Sequence, residues 1–287
     1  MKGKGKEDPH RRVESGREVL QIDYSYLKSD GSYVDGNQEA AEVVLTAADR
    51  GTGMFWAMGI PTKNFEKEYV VKSICGFISQ LGHMQLSIRT DGEPTILQVA
   101  NEIRDEMNKK RSKGEGVKVR TEQAPRYSPQ SMGAVGAAQS ILKGDAMTLK
   151  SSLEEKVGLQ ISPAMNVWPW LIRRSAWSRA RFGVKANLRT AYEDAFGSQY
   201  TGQILPFGEA VMFKVPHSSS GRKVGGRLLK GDPAWEKGIF LGKMNETDEF
   251  LIGTPRGVHS ARSIRRLEMR LRWSSDLVKR SQRSSVE

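Results

Sequence analysis

The chain has 287 residues, enough for one large or two ordinary domains, and its 38% hydrophobic and 27% charged residues are those of an ordinary globular protein. A formal net charge of +12 favours polyanionic partners, nucleic acid first. The single cysteine, Cys75, excludes an intramolecular disulfide and a cysteine-rich zinc site. No apolar run approaches the roughly 18 residues of a membrane span, so no membrane partner is expected.

Residues 1–18 are polar and basic, without the apolar segment of a secretory signal, and are expected to be a disordered tail. VLQIDYSYL, residues 19–27, is apolar and β-rich and reads as a strand with Asp23 in its middle. Two further strands, 41–49 and 53–60, are joined through Arg50, Gly51 and Thr52 as a hairpin, which makes an antiparallel meander. From 64 to 81 the spacing of Phe65, Tyr69, Ile74, Phe77, Ile78 and Leu81 predicts a helix, with Asn64 as its cap and Gly82 as its stop. Cys75 falls among its apolar residues as a buried thiol. MQLSIRT, 84–90, is a short strand that leads into Asp91. Pro94 opens a helix to about residue 110, with Ile96, Ala100, Ile103 and Met107 on one face. VKVRTEQ, 117–123, is a further strand, followed by the loop APRYSPQS and a helix that starts near Met132. This order predicts a mixed α/β layer fold.

Between about 145 and 190 the pattern is helical. NVWPWLIRRSAWSRARFG holds Trp168, Trp170 and Trp177, read as packing residues, with Pro169 in the first helical turn or kinking it. Its arginines, Arg173, Arg174, Arg179 and Arg181, form a basic cluster that can compete for phosphates. From residue 203 short β-like runs appear (EAVMFKV, KGIFLGK, EFLIGT, GVHSARSI), separated by Gly- and Lys-rich turns, which suggests a small barrel or open sheet. A second basic cluster comprises Arg262, Arg265, Arg266, Arg270 and Arg272. The expected organisation is therefore a tail (1–18), an α/β core (19–160), a helical linker (161–202), a small β domain (203–267) and a basic, weakly helical C-terminal tail (268–287).

Two carboxylates stand out. Asp23 sits inside a strand, where burying a charge is costly without a partner or a metal; the alternative puts it on the exposed face of an edge strand with Gln21 and Ser25. Asp91, followed by Gly92 and Glu93, is either a turn or capping residue or part of a site. Both lie in or at the C-terminal end of a strand, where α/β sheets gather their sites. Two ionised carboxylates a few ångströms apart repel unless a cation neutralises them. Mg²⁺ with substrate phosphate oxygens is the usual solution, and two such ions clamp an in-line phosphoryl transfer. The histidines, His10, His83, His217 and His259, are scattered, and no zinc site is expected from them.

DYSY with Asp23, RTDGEP with Asp91, and YSPQSMG before a helix resemble the three signatures of the integrase catalytic core of LTR-retrotransposon (copia-type) polyproteins. YTGQILPFGEAV, TAYEDAFG, KGIFLG and EFLIGTPRGVHSARSIRRL are similar to the segment after that core, often described as SH3-like, so the likeness runs over about residues 19–268. The resemblance implies a ribonuclease-H-like mixed sheet with flanking helices, followed by a small SH3-like β domain. It implies Asp23 and Asp91 as catalytic and metal-binding residues, Mg²⁺ or Mn²⁺ as cofactor, DNA as partner and a homo-oligomer. In intact relatives water or a DNA 3′-hydroxyl attacks a phosphodiester while carboxylates hold the metals.

The family's third acid is a glutamate three positions after the glycine of the SPQSNG-like motif. Here that position is Gly136, with Ala137 where a basic residue is usual and Met132 where asparagine is usual. A site lacking that acid holds its second ion poorly, so a degenerate core with little or no strand transfer is expected. Glu122 and Asp145 are the remaining nearby acids; Asp145 is too far along the helix, at about 1.5 Å per residue. Arg262, Arg265 and Arg266 are the expected phosphate contacts, against the reading of a solvated basic face. The alternative function is a non-catalytic nucleic-acid-binding module. The family's upstream His/Cys zinc module is not in this sequence, so a fragment or decayed copy is expected, in an intracellular compartment, the nucleus included.

Overall fold

A computed structural model of the chain describes residues 18–28, 30, 41–60, 62–63, 67–112, 114, 116–125, 128–215, 223–224, 227–228 and 234–281. The expected tail up to residue 17, the cap at Asn64 and Tyr127 of the third motif lie outside the described residues.

β1 (Glu18–Lys28) is the centre of a five-stranded sheet. Its alternation sorts side chains to two faces. Leu20, Ile22 and Tyr24 point one way into an apolar core, while Gln21, Asp23 and Ser25 share the other face. β2 (Ala41–Asp49) and β3 (Phe55–Ile60) complete the antiparallel meander. Asp49 closes their hairpin: its Oδ2 accepts from the Thr52 N–H at 2.8 Å and the Thr52 hydroxyl at 2.7 Å. On the other side of β1, β4 (Gln85–Thr90) and β5 (Lys118–Gln123) add in parallel, giving the order β3-β2-β1-β4-β5. This is a mixed five-stranded sheet of the α/β layer class that the order of elements predicts.

Helices cover both faces. α1 (Lys67–Gln80) and α2 (Pro94–Ser112) bury Ile74, Phe77, Ile78, Ile96, Val99 and Ile103 against Leu20, Ile22 and Ile88. Cys75 is in this core, and burial pushes its thiol up to about 11, as befits a structural thiol. The opposite face takes α3 (Gly133–Val157), which follows a short 3₁₀ turn at Pro129–Met132, and α4 (Trp168–Phe182). Pro169 lies in the first turn of α4, where its missing N–H costs nothing. α5 (Ala191–Phe196) follows, closed by a capping box between Thr190 and Glu193.

The C-terminal part forms a second sheet, wholly antiparallel, from β6 (Ala210–Lys214), β9 (Trp235–Lys243), β10 (Phe250–Thr254), β11 (Gly257–Ala261) and β12 (Ile264–Arg266), in the order β11-β10-β9-β6-β12. Between β6 and β9, β7 (Lys223–Val224) and β8 (Arg227–Leu228) pair with each other. One face of the larger sheet encloses Phe213, Phe240, Phe250 and Ile252. The other contributes Ile239, Leu241, Leu251 and Val258 to the core under α3 and α4.

α4 falls in the segment expected to be a helical linker. It is instead wedged between the sheets, with Trp168, Leu171 and Ile172 fully buried and Trp177 nearly so. Arg174 (5% exposed) and Arg181 (6%) are buried with them, so half of the basic cluster read from this helix is not presented to solvent. Arg179 pairs bidentately with Asp145 of α3 at 2.5 and 2.7 Å. The chain after β12 is also docked: Ala210 N–H donates to the Arg272 carbonyl at 2.7 Å, and α6 (Ser275–Arg280) buries Val278 in the shared core.

The start of α3 is held from outside the helix. Met132, its N-cap residue, offers no side-chain bond. The carboxamide of Gln21, 1% exposed, supplies the cap from β1: its Oε1 accepts from Val135 N–H at 3.0 Å, and its Nε2 donates to the Ser131 carbonyl at 2.7 Å. One of the helix's orphan N–H groups is thereby satisfied. Gln21→Leu strands the Val135 N–H at about 1–3 kcal/mol and leaves the Ser131 carbonyl only the longer bond from Arg89 at 3.5 Å, and the Tm is expected to fall by about 3 °C or more in thermal melts.

Candidate metal-binding site

Asp23, in the middle of β1, and Asp91, just past the C-terminal end of the parallel neighbour β4, come together. Gln21 lies opposite Arg89, so continuing the β1–β4 register two residues brings Asp91 level with Asp23. β1 is the central strand, which removes the edge-strand alternative for Asp23; its face is covered by α3. Asp91 lies just past β4 and serves its turn as well: its Oδ1 accepts from Glu93 N–H at 3.1 Å, over a Gly92 at φ +94°. That left-handed backbone suits glycine, because a Cβ there is strained.

Charge and burial act together on this pair. Burial, and then the neighbouring Asp91 charge, push the Asp23 carboxyl up to about 6, against the Tyr24 N–H at 2.8 Å and the Gln139 side chain at 3.4 Å, which favour its ionised form. Neither carboxylate has an ion-pair partner among the described residues. The nearby cation is spent elsewhere. Lys63 donates to both oxygens of Glu93 at 2.6 and 2.7 Å and lies over the rings of Tyr24 and Tyr26. Burial would raise the Glu93 carboxyl, but Lys63 and Thr95 outweigh it and hold that group low.

The third wall is the start of α3. Gly136 is exposed, and a Cβ built there meets nothing within 4 Å. One turn further, on the same helix face, Gln139 reaches Asp23 Oδ2. Glu122 lies opposite Arg89 in the β4–β5 ladder and is bound by it at 2.6 Å, and Asp145 is bound by Arg179. Neither is a free third acid. Sequence reading missed Gln139, Lys63 and Glu93; only Glu93, two residues after Asp91, carried a local signal.

The donor set is hard oxygen: two carboxylates with unneutralised repulsion, which suits Mg²⁺ or Mn²⁺, while Gln139 turns its amide N–H rather than its oxygen toward Asp23. A different group, Glu18, Asp49 and His83, brings three ligand atoms within 4.8 Å of one another at the opposite end of β1. There Asp49 Oδ1 and His83 Nε2 are 3.0 Å apart, as a His–Asp pair that braces the β2–β3 hairpin.

The arginines expected to contact phosphate each have an internal partner. Arg266 binds the fully buried Glu209 bidentately at 2.6 and 2.8 Å, and Arg272 approaches the same carboxylate. Arg262 meets Glu249 at 2.8 Å with its side chain 89% exposed. Arg265 lies 4.2 Å from the Trp235 ring centroid.

No protein-family model and no curated protein matches the chain. Solved structures similar to it include the HTLV-2 integrase catalytic core domain in complex with magnesium, in a trimeric form, at 14% identity over 62% of this chain and 95% of that one (TM-score 0.41). The catalytic core domain of BIV integrase is similar at 15% identity over 63% and 95% (TM-score 0.43). The simian T-cell lymphotropic virus intasome is similar at 11% identity over 87% and 81% (TM-score 0.36). Among the described residues, no helix is long and apolar enough to cross a membrane.

A carboxyl with a raised folded-state pKa holds its proton more tightly than the unfolded chain does. Its stabilising effect is present at low pH and is lost as pH rises from about 4 through about 6. Asp23→Asn removes that loss. The expected outcome is a Tm higher by about 2–4 °C at pH 7.5 and changed much less at pH 4.5; equal shifts at both pH values would contradict the raised Asp23 pKa.

Proposed function

We propose that the chain is an integrase-like polynucleotidyl transferase core of LTR-retrotransposon (copia-type) origin, followed by an SH3-like β segment, and that its catalytic centre is degenerate. The reading is carried by one observation: Asp23 on β1 and Asp91 just past β4 stand side by side, with repulsion that no cation among the described residues relieves, in the sequence contexts that resemble the family's first two signatures. In this reading the two carboxylates hold Mg²⁺ or Mn²⁺, which when bound polarises a phosphodiester of DNA. Asp23 and Asp91 orient it, and α3 shields one side. Gly136 leaves the third ligand position without an oxygen, so the second ion has too few protein donors.

DNA contacts are assigned to Arg262 and Arg265, which project from the surface of the second sheet; Arg266 is given a structural role through Glu209. Homo-oligomer formation and a nuclear location belong to the same reading. The open position at Gly136 together with the net charge of +12 favours one alternative, a nucleic-acid-binding module that no longer cuts.

The test uses the full chain. Mn²⁺ is expected to raise the Tm of the parent protein at pH 7.5 and not that of Asp23→Asn. On short duplexes the parent gives little or no nicking or joining. Gly136→Glu, for which the helix has room, gains Mn²⁺-dependent nicking of at least about tenfold that Asp23→Asn removes, a gain of about 1.4 kcal/mol in barrier terms. DNA binding that weakens steeply with salt, without rescue by Gly136→Glu, establishes the binding module instead. Robust nicking by the parent chain overturns degeneracy.

A further inference from the structure

Where α1, β3 and α4 meet under the β9–β10 connection there is a small cavity of about 10 Å³, close to the space of one water-sized sphere. Three of its lining residues carry a buried N–H with no acceptor among the described residues: Gln80 at Nε2, Trp177 at Nε1 and Arg181 at Nε. Arg173 and Asn245 also line it, and no carboxylate does. Buried polar groups normally find partners, so three unmatched donors around one space are a chemical signature.

Charge adds to it. Arg181 and its neighbour Arg174 are more than nine-tenths buried, and neither forms an ion pair with any described residue. Both guanidiniums stack on the same indole, at 4.6 Å for Arg174 and 4.2 Å for Arg181 from the Trp177 centroid, and they repel each other. Burial lowers both pKa values only to about 10, so both stay charged at neutral pH. The carboxylate that acts on Arg181 most directly, Asp248, is already taken by the Tyr200 hydroxyl at 2.6 Å and by Lys243 at 2.5 Å. Stacking on aromatic rings offsets part of the desolvation cost, by about 2 kcal/mol when the pair is dry, but it satisfies no N–H.

We infer that this cavity is a binding site for a small monatomic anion, chloride in the cell, which accepts from Gln80, Trp177 and Arg181 and neutralises the buried arginine pair. Water is the weaker occupant, because it accepts only two hydrogen bonds and carries no charge. A tetrahedral oxyanion is larger than the space. Because the lining joins the helices of the first sheet to the β9–β10 connection of the second, the anion ties the two layers together.

The anion site is independent of the proposed DNA chemistry, and it is tested on the full chain by thermal unfolding at constant ionic strength, with sodium chloride replacing sodium gluconate. The expected result is a saturable rise of about 3–6 °C, reproduced by bromide, together with broadening of the ³⁵Cl resonance. Gln80→Leu, which removes one donor and lines the space with an apolar side chain, is expected to abolish both. Arg181→Met is expected to abolish both as well; if that variant does not fold, Gln80→Leu alone decides. Identical melting in the two salts, or a chloride shift that survives Gln80→Leu, overturns the inference and leaves a buried water in its place.

Discussion

A single buried carboxamide sets the geometry on which the candidate site depends. Gln21 reaches from the central strand to the first turn of α3 and satisfies one donor and one acceptor there. A helix capped by its own side chain could dock in several ways. One whose cap belongs to the sheet cannot slide without breaking two hydrogen bonds to its backbone. Because Asp23 is two residues from Gln21 on the same face, the clamp also decides which α3 residues stand over the carboxylates. Gln139 does so, and Gly136 stands one turn nearer the helix start.

Among the described residues, several buried or half-buried charges are matched, and two clusters of like charge are not. Glu209 is held by Arg266 and Arg272, Asp145 by Arg179, and Asp49 by His83 and Thr52. By contrast, Asp23 and Asp91 concentrate negative charge beside each other on β1 and after β4, and Arg174 and Arg181 concentrate positive charge around Trp177. Unmatched like charges held close together are costly, the more so where they are buried as the arginines are, and each cluster is therefore a demand for a counter-ion of known sign. The two demands lie in different parts of the fold and are independent of each other.

The meander, the helices and the strand before Asp91 were legible because their apolar spacing switches cleanly between periods of two and 3.6, as in 84–90 followed by Pro94. Asp23 was legible as unusual, but not as central, since one strand's pattern does not reveal its neighbours. Gln21 was invisible for a related reason: its partners lie 110 and 114 residues away. Arginines are normally exposed, so Arg173, Arg174, Arg179 and Arg181 read as a cluster open to phosphates, and the burial of two of them was not legible. Burial of Arg174 and Arg181 depends on the aromatic rings of Tyr192, Tyr200 and Phe240, which come from three other places in the chain. The missing acid at Gly136 was readable directly, whereas the amide that approaches Asp23 in its stead required the helix to be placed.

The position of α4 has a consequence for dissecting the protein. Trp168, Leu171 and Ile172 pack at once against residues of β3 and residues of β9 and β10, so neither sheet completes its hydrophobic surface alone. Severing the gene anywhere between residues 161 and 202 leaves one half with an exposed aromatic stripe and the other with an uncovered β-face. Each piece should aggregate when expressed separately, and the intact chain should melt as a single cooperative unit despite its two sheets.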